Sequence, residues 1–89
     1  MRNMGGIMRA PSQGVYFEIP YSGTLAVGDC ILVTDISGVT SLVAQYDGSM
    51  WSQGDNINYF SDENNVISFD IKGYGYNSRA AFIPGPNHV

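Results

Sequence analysis

The sequence predicts an all-β protein, a small antiparallel β-sandwich or barrel of about seven to eight short strands with an extended N-terminal arm. Apolar and polar residues alternate in several short runs that are separated by turn-forming residues, including many of the 11 glycines. No stretch carries the apolar stripe of an amphipathic helix. The 89 residues suffice for one compact unit. We therefore expect an extended arm over residues 1–12 and a single β-sandwich domain over residues 13–89.

The clearest strand–turn–strand pattern lies in residues 41–52. Asp47-Gly48 is a pair that accepts positive φ at both central positions of a type I′ turn. A two-residue turn at this pair would place Ala44 opposite Trp51, with room for the indole ring. The core-facing side of this hairpin would then consist of Leu42, Ala44, Tyr46 and Trp51.

The remaining strands are predicted from alternation and from the turn residues that end them. They span residues 14–19, 24–27, 30–36, 39–46, 57–60, 66–71 and 79–83. The run 30–33 is apolar on both faces, which predicts a central strand. Residues 53–56 and 61–65 are predicted loops, and 66–71 should pair with 79–83 about the glycine- and tyrosine-rich turn 73–78. The predicted structural core is Phe17, Leu32, Ala44, Trp51, Phe69 and Phe82.

The sequence offers little for catalysis. Cys30 is the one cysteine and begins an apolar run, while the one histidine, His88, lies next to the last residue. A nucleophile needs a base held at hydrogen-bond distance, so we predict no enzymatic activity and no cofactor. A lone cysteine and the lack of a signal region or a long apolar run predict a protein made in the cytoplasm that does not insert in membranes.

A calcium site is the alternative that the acidic loops leave open. Calcium takes six to eight oxygen ligands, and two neighbouring predicted loops are rich in carboxylate and amide side chains. These residues are Asp55, Asn56, Asp62, Glu63, Asn64 and Asn65. Their spacing matches no EF-hand, and such residues are also typical of turns, so the prediction is that no metal binds. One Cys and one His exclude a zinc site.

Charge is distributed unevenly along the chain. Residues 1–12 contain Arg2 and Arg9 and no acid, whereas residues 13–89 contain Lys72 and Arg79 against eight acids. An acidic domain disfavours nucleic acid, because phosphate binding needs clustered Lys and Arg.

The arm also carries apolar side chains with no predicted strand to pair with. Ile7 and Met8 are expected to dock in a groove of a neighbouring subunit, with Arg2 and Arg9 on acidic rims and Met4 at the same interface. The alternative is a disordered start whose methionines are incidental. A body-to-body interface is expected at Tyr74 and Tyr76.

The chain resembles the small accessory proteins, decoration or cement proteins, of tailed bacteriophage virions. The resemblance lies in the weakly basic arm before a β domain, in the hairpin of residues 46–51, and in the Gly-Tyr-Gly-Tyr turn between two late strands. It implies a non-enzymatic protein of the virion, bound in many copies to the major capsid protein or another virion protein, and a homo-oligomer that is often a trimer. Two other classes stay open: a phage-encoded inhibitor of a host defence protein, and a small carbohydrate-binding module that stacks tyrosines on sugars.

Overall fold

The computed structural model describes residues 14–89, which form seven strands and no helix. The predicted arm, residues 1–12, lies outside the described residues. In chain order the strands are β1 (Val15–Pro20), β2 (Cys30–Thr34), β3 (Thr40–Tyr46), β4 (Trp51–Gln53), β5 (Ile57–Glu63), β6 (Val66–Ile71) and β7 (Arg79–Ile83).

The strands form two sheets with the orders β1-β6-β5 and β4-β3-β2-β7, and every neighbouring pair is antiparallel. The prediction of a small all-β sandwich is therefore confirmed. β2 is a central strand, as its apolar run predicted, because β3 and β7 pair with its two sides.

The core lies between the two sheets and contains few residues. Its buried members are Ile31, Val33, Val43, Ala44, Ile67, Phe69 and Ile71. Of the predicted core residues, Ala44 and Phe69 are buried, and Phe17, Trp51 and Phe82 are half-buried and packed against it. The prediction that Leu32 belongs to the core is wrong. It alternates with the buried Ile31 and Val33 along β2, so its side chain points to the outer face of the sheet.

The β3–β4 hairpin differs from its prediction. Tyr46 pairs with Trp51, so the loop has four residues and Ala44 faces Gln53 rather than Trp51. Within this loop only Gly48 has a positive φ. The Asp47 carboxylate explains the longer loop, because its Oδ1 accepts hydrogen bonds from the backbone N–H groups of Ser49 and Met50, at 2.8 and 2.9 Å.

A β-bulge in β3 accounts for a second difference. Ile31 pairs with Ala44 and Leu32 pairs with Leu42, so Val43 is an extra residue in this strand. Val43 and Ala44 are both buried, whereas Leu42 is 54% exposed. The bulge reverses the alternation, which is why Leu42, predicted in the core, lies on the outer face.

The two-residue turn with two positive φ angles occurs elsewhere, at Asn64 and Asn65 (φ 56° and 60°). Glu63 pairs with Val66 across it, so most of the predicted loop 61–65 belongs to strand β5. Asn tolerates this left-handed conformation. The side-chain amide of Asn65 also donates hydrogen bonds to the carbonyls of Tyr21 and Gly23.

Two further predictions are wrong. Residues 24–27 are not a strand, because their backbone hydrogen bonds go to Val89 and to the Asp29 side chain rather than to a ladder. β6 and β7 do not pair, since β6 is flanked by β1 and β5 while β7 lies beside β2. The turn 73–78 therefore crosses from one sheet to the other.

Candidate functional site

The outer face of the four-stranded sheet is apolar at its centre. Ala81, Leu32 and Leu42 form one row across three strands, and Ile83 and Cys30 form part of the next. We call these five residues the apolar face. Leu42 is 54% exposed and Ile83 is 40% exposed. The polar rim consists of Thr34, Thr40, Gln45, Ser52 and Arg79. Among the described strands of this sheet, the outward positions contain no carboxylate.

The outer face of the three-stranded sheet has the opposite chemistry. Tyr16 on β1 and Tyr59 on β5 both lie opposite Asp70 of the central strand β6, so the three residues form one row. The outward side chains of this sheet, which we call the acidic tyrosine face, are Tyr16, Glu18, Pro20, Tyr59, Ser61, Glu63, Val66, Ser68 and Asp70. Tyr16 is 46% exposed and Tyr59 is 53% exposed.

Tyr16 is held by its neighbours on this face. Its hydroxyl donates a hydrogen bond to Oε2 of Glu18 at 2.8 Å. A hydrogen bond with Ser68 lowers the pKa of Tyr16, but partial burial and the Glu18 carboxylate outweigh it, so the pKa is raised. The ring therefore stays neutral and lies along the strand toward Glu18.

A buried carboxylate ties the end of the chain to the loop before β2. Asp29 is fully buried and accepts hydrogen bonds from the backbone N–H of Ala26, from the backbone N–H of Gly85 and from Nδ1 of His88. Burial would raise the pKa of Asp29, but these three hydrogen bonds outweigh it and the pKa is lowered. Asp29 is thus ionised and fully hydrogen-bonded, as buried charges must be.

His88 completes this contact as a cation. Its Nε2 lies 2.6 Å from the carbonyl oxygen of Ser22 and its Nδ1 lies 2.9 Å from Oδ2 of Asp29. Both oxygens accept, so both ring nitrogens carry protons. The hydrogen bond with Asp29 and the Ser22 carbonyl raise the pKa of His88. With both nitrogens engaged, His88 holds the last residues against the loop before β2.

Asp62 joins the two sheets at one end of the sandwich. Its Oδ1 accepts a hydrogen bond from the Tyr21 hydroxyl at 2.8 Å, and its Oδ2 accepts one from Nε1 of Trp51 at 3.0 Å. Burial and this carboxylate raise the pKa of Tyr21 to about 12. The Trp51 ring packs 5.6 Å from that of Phe60. Asp62 therefore has a structural role in the described fold.

The candidate calcium loops are not brought together. Asp55 precedes β5 and Glu63 ends it, so about 20 Å of extended strand separates them. In the described part of the chain, no three His, Cys, Asp or Glu side chains form a group that could hold a metal ion.

Cys30 lies on the apolar face with a half-buried side chain. Burial, followed by the charge of Asp29, raises the pKa of its thiol. A thiol of raised pKa is a poor nucleophile.

The predicted tyrosine interface is split by the structure. Tyr76 is 83% exposed in the crossing turn, whereas Tyr74 is half-buried, packs against the core and lines an open groove of about 380 Å³. The other apolar side chains of this groove are Leu42, Val43, Ile57 and Ile71. The predicted interface residues Arg2, Met4, Ile7, Met8 and Arg9 lie outside the described residues.

Sequence reasoning missed the roles of Asp29, His88 and Asp62. The position of Asp29, directly before a strand that is apolar on both faces, could have indicated a buried carboxylate, because the side chain follows the strand into the interior. The sequence carried no signal that His88 would meet it, since 59 residues separate the two.

No protein-family model, curated protein or solved structure matches the chain. Residues 14–89 contain no helix that could cross a membrane.

Proposed function

We propose that this chain is a non-enzymatic structural protein of a virion, a decoration protein that binds the capsid shell in many copies. The observation that carries this proposal is the apolar face. Exposed apolar patches ringed by polar residues mark protein–protein contacts, and the centres of such contacts are depleted in charged residues. The apolar face has this composition, with Thr34, Thr40 and Gln45 around it.

The size of the face fits attachment in many copies. The whole outer surface of this sheet, polar rim included, covers roughly 300 Å² for strands about 4.8 Å apart and about five residues long. A standard stable interface buries roughly 800 Å² on each partner. One copy of the face therefore gives a weak contact. A homo-oligomer that presents several copies to a regular shell gains strength by multivalency, which is the arrangement that the resemblance to decoration proteins implies.

The chemistry of two side chains supports a function without catalysis. Burial keeps the Cys30 thiol protonated, and both nitrogens of His88 are engaged by Asp29 and Ser22. Neither side chain is placed to act as a nucleophile or as a general base.

The test compares virions assembled with the wild-type chain and with the full-length Leu42→Asp variant. Quantitative mass spectrometry of purified particles should find the wild-type chain in many copies. Leu42→Asp puts a charge at the centre of the apolar face and should reduce the copy number at least tenfold. Ile36→Asp is the matched control, because Ile36 is 74% exposed in the turn between β2 and β3 and is not one of the five residues of the apolar face, and it should bind like the wild type.

The proposal fails if purified particles lack the chain. The assigned face is wrong if Leu42→Asp binds as well as Ile36→Asp. Circular dichroism of both variants checks that any loss of binding occurs in a folded protein.

A further inference from the structure

The acidic tyrosine face is suited to a cationic ligand. It carries the carboxylates of Glu18, Glu63 and Asp70, and no Lys or Arg occurs in β1, β5 or β6. The remaining acid of these strands, Asp62, bonds Tyr21 and Trp51 between the sheets. Lys72 directly follows β6 and continues its outward alternation, so three carboxylates and one cation lie on the described part of this outer face, which keeps a net negative charge.

The two tyrosines give this face a geometry for guanidinium groups. Tyr16 and Tyr59 flank Asp70 on either side, so their backbones lie about 10 Å apart, two strand spacings. A guanidinium stacks on an aromatic ring and pairs with a carboxylate through its planar donors. Each tyrosine here has a carboxylate beside it, Glu18 along the strand or Asp70 across it.

We propose that this face binds the arginine-bearing N-terminal segment, residues 1–13, of a second copy of the chain. That segment contains Arg2 and Arg9 and no acid, so its charge complements that of the face. Seven residues of extended chain span about 23 Å, and six-residue strands such as β1 and β6 are about 20 Å long. Both arginines can therefore lie over one face.

The point at which residues 1–13 join the described fold is fixed beside the end of β6. Gly14 has φ +93° and lies so close to the carbonyl of Ile71 that a Cβ would overlap it. β1 begins beside this point and runs away from it, with Tyr16 two residues further on. The same face of the segment's own chain is the alternative site, and the experiment below distinguishes it from the face of a second copy.

The inference is independent of the virion, because its test uses only the purified full-length chain. Sedimentation equilibrium would measure self-association of the wild type and of Glu18→Lys, Arg9→Glu and Asp55→Lys. Glu18→Lys reverses the charge on the face, and Arg9→Glu reverses it on the segment. Asp55→Lys is the charge-matched control in an exposed loop outside the face. Circular dichroism would verify that each variant is folded.

The expected result is that the wild type self-associates, that Glu18→Lys and Arg9→Glu each weaken association about tenfold, and that Asp55→Lys leaves it unchanged. An equimolar mixture of Glu18→Lys and Arg9→Glu should recover hetero-association, because the carboxylate introduced in the segment of one chain meets the ammonium group introduced on the face of the other. Tyr59→Ala should weaken association without changing the net charge.

Three results would overturn the proposal. The first is a wild type that stays monomeric. If Arg9→Glu then alters the NMR signals of Tyr16 and Tyr59 in that monomer, the segment docks on the face of its own chain. The second is a mixture that recovers no association. The third is an oligosaccharide titration that perturbs Tyr16 and Tyr59 while Arg9→Glu leaves self-association intact, which would make the face a glycan site.

Discussion

The two outer faces of the sandwich share the same backbone and differ in chemistry. On the four-stranded sheet, the outward row Ala81–Leu32–Leu42 is apolar. On the three-stranded sheet, the outward row Tyr16–Asp70–Tyr59 is aromatic and acidic. Both inner faces are apolar and pack on one core. Packing constrains the residues at the inner positions of both sheets. Function is therefore to be sought at the outer positions, where the two sheets differ.

The largest change in stability is expected from truncating a side chain of the core, on which both faces depend. Phe69→Ala should lower the free energy of unfolding by about 3–5 kcal/mol, because it leaves a cavity at a fully buried site. Leu32→Ala, on the outer face, should cost less than half as much. Chemical denaturation measures both, and similar costs would show that Leu32 belongs to the core after all.

The next largest change in stability is expected at Asp29, which holds the last residues against the loop before β2. Asp29→Ala leaves the backbone N–H groups of Ala26 and Gly85 without their buried acceptor. We expect a loss of about 1–3 kcal/mol in the free energy of unfolding for each donor left unsatisfied. Asp35→Ala, at an exposed turn that also accepts two backbone N–H bonds, is the control and should cost less. Equal losses in denaturant titrations would contradict the structural role of Asp29.

The same contact predicts a dependence of stability on pH. The pKa of His88 is raised above its ordinary value of 6.5 in the folded state, so its stabilisation is complete below pH 6.5 and is lost as pH rises through the folded pKa. The pKa of Asp29 is lowered from 3.8, so its stabilisation is present above pH 3.8 and is lost as pH falls through the folded pKa. Stability should be greatest between these limits.

Melting temperatures from pH 4 to pH 9 test this prediction with His88→Ala as the comparison. The wild type should lose stability above pH 6.5, and the variant should show a flatter profile there. A wild-type profile that stays level or rises above pH 6.5 would contradict a protonated His88 in the fold.

The smallest effects are expected from the faces themselves. Tyr16→Phe removes an exposed hydrogen bond and Leu42→Ser removes an exposed apolar side chain, so each should change stability by only about 0.5 kcal/mol or less. Differential scanning calorimetry of the two variants provides the check. A larger loss from either one would mean that the corresponding face is part of the structural framework and not a free binding surface.

Local patterns predicted much of this fold. Strict alternation located β1 and β6, and the run apolar on both faces identified β2 as central, because burial imposes period two wherever one face packs on a core. The interior position of Phe69 follows from the same rule. Sequence periodicity carries this information without knowledge of the sheet order.

The errors came from features that periodicity does not encode. The bulge at Val43 reversed the face of Leu42, and the side-chain hydrogen bonds of Asp47 lengthened a loop that its dipeptide predicted to be tight. The acidic tyrosine face was not predicted either. Its row joins residues 16, 59 and 70, and such long-range register depends on which strands become neighbours.

The central claim is that the acidic tyrosine face and the apolar face are separate binding surfaces. The most direct test is an NMR titration of isotope-labelled full-length chain with unlabelled chain at low salt and again at high salt. We predict chemical-shift changes confined to β1, β5 and β6 around Tyr16 and Tyr59, which diminish at high salt because the contact is electrostatic. Changes centred on Leu32 and Leu42 that persist at high salt would contradict the claim.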